Sequence, residues 1–119
     1  MLEGRYHLLV DPTTYSDDVR VKVSTDRSEA WVSEQLFDRL LALGRAYQLH
    51  VLTLLANVPR HEPFWINQQQ SEGLVEEVEF VVSLVDSDIA VNELAKTLLP
   101  VIAEAARYGD RNALVVEGP

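Results

Sequence analysis

Between residues 74 and 85, Val78, Phe80, Val82 and Leu84 occupy every second position, and Glu77, Glu79, Val81, Ser83 and Val85 stand between them. A side-chain period of two in a Val-rich run predicts a β-strand. Such a strand needs partners in a sheet, which ties the rest of the chain to it. A second alternation lies upstream, where Val19, Val21 and Val23 interleave with Arg20, Lys22 and Ser24. It reads as a strand with one wet face. Short strands are also expected at 6–10, closed by Asp11-Pro12, and at 113–116. The run at 48–55 is short, apolar on both sides and follows Gly44. A strand is the preferred reading there, with a continued helix as the alternative.

Two helices are expected. Asp26-Arg27-Ser28-Glu29 has the form of a capping start, a short acceptor side chain followed by Glu three residues on. From there Val32, Leu36, Leu40 and Leu43 fall on one helical stripe, widened by Phe37 and Leu41. Gly44 supplies a stop. Ser87 or Asp88 caps the second helix, whose stripe is Val91, Leu94, Ala95, Leu98, Ile102 and Ala105. Pro100 lies on the opposite side, where it bends the helix without breaking it.

Together these elements predict an α+β fold with the ferredoxin-like order βαββαβ, an antiparallel sheet with two helices on one face, plus an extra N-terminal strand. That topology sets the strand at 19–24 antiparallel to the strand at 74–85. Arg20 and Lys22 then face Glu77 and Glu79, and at least one cross-strand ion pair is expected. A structure that separates the two stretches excludes the arrangement.

At 119 residues, residues 1–119 are expected to form a single domain with a long loop at 56–73. The 47% apolar content suffices for one packed core. With no Cys there is no disulfide framework and no thiol chemistry. The first residues lack the charged-then-apolar form of a signal peptide, and no apolar run approaches the about 20 residues of a membrane span. A cytoplasmic location is expected. The net charge of −9 is unevenly placed: residues 1–60 hold 8 acids against 7 Lys and Arg, and residues 61–119 hold 11 against 3. Nucleic acid and membrane are therefore poor partners, and a basic protein is an acceptable one.

Motifs for chemistry are sparse. No phosphate-binding Gly loop, metalloprotease His pair or nucleophile elbow occurs, so no catalytic residue, metal site or cofactor is assigned. His7, His50 and His61 have no short metal-ligand spacing. The anomaly is Arg60-His61-Glu62-Pro63-Phe64-Trp65-Ile66-Asn67, where three large apolar side chains stand inside an expected polar loop. They pack back on their own chain or serve as anchors for something else. Trp31 lies off the first helix stripe and is a second candidate contact. Glu76 and Glu77 head the acidic half.

The candidate binding residues are thus Trp31, His61, Glu62, Phe64, Trp65, Ile66, Glu76 and Glu77. The expected function is that of a small, acidic, non-catalytic protein-interaction module, such as an inhibitor, immunity-type or adaptor protein. The alternatives are a dimeric small-molecule-binding regulatory domain and an enzyme with acid/base residues in the 56–73 loop. The uncovered sheet face also makes a homodimer through that face an expectation.

Overall fold

The computed structural model describes residues 19–58, 62–85, 87–108 and 113–118. The elements are β1 (Arg20–Ser24), β2 (Glu29–Ser33), α1 (Glu34–Ala46), α2 (His50–Ala56), β3 (Phe64–Ile66), α3 (Gln68–Leu84), α4 (Ile89–Tyr108) and β4 (Leu114–Glu117). The four strands form one sheet in the order β2-β1-β4-β3, with every neighbouring pair antiparallel. The fold is α+β, as expected. Its element order is ββααβααβ, and the ferredoxin-like arrangement is not what the described residues adopt. The strand expected at 6–10 lies outside them.

Three local readings change. The stretch at 26–29 opens a hairpin and not a helix. The Thr25 amide donates to the Ser28 carbonyl, and Thr25 Oγ1 accepts from the amides of Arg27 and Ser28. Hydroxyl residues that cap helices also close turns, and here the turn wins. Ala30 and Val32 sit opposite Val23 and Val21 and bury with them. The helix starts one strand later, at Ser33, whose Oγ accepts from the Leu36 amide.

Residues 50–56 form a helix in place of the expected strand. The N-cap Leu49 has no acceptor side chain, so the first turn is capped from elsewhere. Glu77 Oε2 and Oε1 accept from the amides of Val51 and Leu52 at 2.9 and 2.8 Å. A carboxylate on exposed helical amides satisfies groups the helix itself leaves open, and its charge suits the helix dipole.

The expected strand at 74–85 is the second half of α3. Its buried positions, Ser71, Leu74, Val78 and Val81, recur at helical spacing. Asn67 and Gln70 form a reciprocal capping box at its start, Asn67 Oδ1 accepting from the Gln70 amide and Gln70 Oε1 from the Asn67 amide. The Arg20/Lys22 to Glu77/Glu79 pairing consequently does not form. Lys22 Nζ instead lies 3.4 Å from Glu29 across the hairpin.

The second expected helix is α4. Its six predicted stripe residues are all buried, and Pro100 is exposed. Asp88 is its cap, with Oδ1 3.1 Å from the Val91 amide. Helices α1 and α4 pack on β1 and β2, and α3 lies along α4. One cluster, from Val21 on β1 to Val116 on β4, joins the strands to every helix. A wholly apolar void of about 10 Å³ at its centre is too small and too dry for a ligand.

Gly44 does not end α1, which runs on to Ala46. It permits the close approach of α2, because a Cβ at Gly44 would sit 2.3 Å from the Leu52 Cβ. Gln48, in the α1–α2 turn, has φ 58°, in the left-handed region that glycine tolerates best. Substitutions four residues apart therefore act in opposite directions. Chemical denaturation should show Gly44→Ala losing about 1–3 kcal/mol as α2 is pushed off. The same measurement should show Gln48→Gly gaining up to about 1 kcal/mol, the relief of strain exceeding the added chain entropy.

Candidate functional site on the outward sheet face

Strand alternation gives the sheet two different faces. Inward point Val21 and Val23, Ala30 and Val32, Phe64 and Ile66, and Leu114 and Val116, all of them in or against the core cluster. Outward point the residues between them. The register sets Trp31 beside Lys22 and Lys22 beside Glu117 in one row. The next row runs Glu29, Ser24, Val115, Trp65. The two tryptophans therefore share one face and stand on the two outer strands among the described residues. Three strand spacings, about 14 Å, separate those strands.

Both indoles are open to solvent, Trp31 at 53% and Trp65 at 49% exposure. Lys22 Nζ lies 5.7 Å from the centre of the Trp31 ring and 3.4 Å from Glu29. The cation sits against the indole at cation–π distance and helps hold the ring in place, an interaction of about 0.5–1 kcal/mol at an exposed site. Val115, directly opposite Trp65, is buried at 4% yet stands outside the core cluster. The face thus has a dry patch beside one exposed indole and a charged one beside the other.

The remaining expected site residues divide. Phe64 and Ile66 belong to the inward side and Ile66 is fully buried, so the apolar trio splits by alternation. Glu62 is exposed just before β3, and His61 lies outside the described residues. Glu76 is exposed on α3, away from the sheet, and Glu77 is committed to the α2 cap. Lys22, Glu29, Val115 and Glu117 were missed as neighbours of the tryptophans. The signal for them was the alternation at 29–33 in phase with that at 20–24.

Polar groups elsewhere have structural work. Thr25 Oγ1 and Ser28 Oγ donate to Glu104 Oε1 at 2.6 and 3.1 Å, which pins the hairpin turn to α4. Arg39 and Asp88 form a buried pair at 3.5 Å, with side chains 2% and 3% exposed. Burial pushes the Asp88 carboxyl above its usual range, and the hydrogen bonds from Val91 and Ala90 amides only partly offset it. Among the described residues no three His, Asp or Glu side chains gather where they could hold a metal ion. No helix among them is long and apolar enough to cross a membrane. No family model matches the chain, and no curated protein or solved structure matches it either.

Because the folded state holds the Asp88 proton more tightly than the unfolded chain, this group's contribution to stability is present at low pH. It is lost as pH rises through the raised folded value. The stability difference between the wild type and Asp88→Asn, followed by denaturation from about pH 3 to 7, should move against the wild type as pH rises. A difference that moves in the wild type's favour contradicts the assignment.

Proposed function

We propose that this chain is a non-catalytic protein-interaction module and that its outward sheet face is the contact surface. One observation carries the reading: both tryptophans stand half exposed on that face. Tryptophan is the side chain most favoured as a binding anchor, since it brings a large rigid area at little entropic cost. Two half-exposed indoles on one face offer a partner two apolar anchor points. Glu77, Glu104 and Asp88 are engaged in caps and turns.

The face is small. Four strands of at most five residues span roughly 19 by 17 Å. A standard interface buries about 800 Å² on each partner, which is more than this face alone can offer. Affinity would then come from the two indoles and not from area. A partner with two apolar recesses about 16 Å apart, three strand spacings across and two residues along, suits the arrangement. The second reading is another copy of this chain. It is favoured by Arg20 and Lys22 lying with Glu29 and Glu117 on one face, a set of charges able to pair with itself.

Partner capture from the native host, repeated with Trp31→Ala and Trp65→Ala, tests the proposal. Each single change should weaken capture about tenfold or more, in the range of a truncated anchor residue. Light scattering on the same samples separates a second copy from a foreign protein. Capture indifferent to both substitutions rules out the face.

A further inference from the structure

The helical side carries a second surface, independent of the sheet reading. α3 and α4 run antiparallel along their whole length, Gln68 Nε2 at one end donating to the Ala106 carbonyl at the other. Between them lies a solvent-open groove of about 530 Å³. Ala95 is buried in its lining, and Val82 and Leu99 are half buried there. Its α3 rim is acidic. Glu72, Glu76 and Glu79 follow one another at helical spacing, all exposed, and Glu79 lines the groove itself.

We propose that this groove receives an amphipathic helix whose polar flank is rich in Lys or Arg. An apolar trough between two antiparallel helices suits the ridge of a third. The groove runs along Glu79 to Ser83 of α3 and Asn92 to Leu99 of α4, about 12 Å of helix length and enough for about two turns of such a ligand. Charge complementarity chooses the kind of helix, since Glu79 in the lining, with Glu76 and Glu72 continuing its stripe along α3, attracts a basic flank and repels an acidic one. Lys96 on the opposite wall is held by Glu93 at 3.5 Å, so the rim facing α3 is not strongly basic. The chain's acid excess in residues 61–119 thus has a local use, and the ligand must be basic where the sheet face asks only for apolar recesses.

The test uses two synthetic helical peptides about 18 residues long, one with Leu on one face and Lys on the other, the second with Glu in place of Lys. Binding to the full chain is read by fluorescence anisotropy. The Lys peptide should bind and weaken as salt is raised, and the Glu peptide should not bind. Glu76→Lys combined with Glu79→Lys should weaken the Lys peptide about tenfold, and Leu99→Ala should weaken it without changing its salt dependence. Asp26→Lys with Asp38→Lys changes the net charge equally but lies on the hairpin turn and α1, and it should leave binding unchanged, as should Trp31→Ala with Trp65→Ala. Equal losses from both charge reversals would mean diffuse attraction to an acidic protein and would overturn the groove. So would a Glu peptide that binds as well as the Lys peptide. If the tryptophan variants alone abolish binding, the sheet face and not the groove is the helix site.

Discussion

The register of the β1–β2 hairpin is the constraint on which the remainder of the structure depends. Val21 opposite Val32 and Val23 opposite Ala30 place four apolar side chains on the helical side. A slip of β2 by one residue would send Trp31 into the core and bring Ala30 and Val32 out. The Thr25–Ser28 turn, tied to Glu104 on α4, holds that register from one end. β4 continues it by setting Val116 beside Val23, and β3 follows with Phe64 beside Val116. The inward face therefore belongs to the core, and the outward face carries two indoles and four charges beside the buried Ser24, Ser33 and Val115.

The helical layer shows where the chain's buried and capping polar groups are used. Its strongest polar groups serve the architecture. Glu77 caps a helix from another element, Asp88 caps α4 while paired with buried Arg39, and Asn67 with Gln70 starts α3. A buried ion pair adds little net stability but makes wrong packings costly, because either charge alone would be stranded.

Much of the core was legible in the sequence, and the topology was not. The stripes of α1 and α4 and the alternation of β1 could be read because their neighbours in the chain decide them. The hairpin turn was missed because Asp26 and Ser28 suit a helix cap as well as a tight turn. α2 was missed because its cap, Glu77, lies 25 and 26 residues from the amides that it receives. α3 looked like a strand because β-branched valines dominate it, although Leu74, Val78, Val81 and Val85 also satisfy the helical period and the Asn67–Gln70 box marked its start. For the site, the oddness of Phe64-Trp65-Ile66 was visible, and so was that of Trp31. Their shared face could not be, since it depends on β4 bridging β1 and β3 in space.

The most direct measurement is acrylamide quenching of the intrinsic fluorescence. The chain has two tryptophans, both on the outward sheet face, so the signal reports that face alone. In the isolated protein at low concentration, both should be readily quenched, and addition of a captured partner should protect them. Indoles already protected in the dilute, isolated chain would contradict the account, because the face would then be closed by the chain itself.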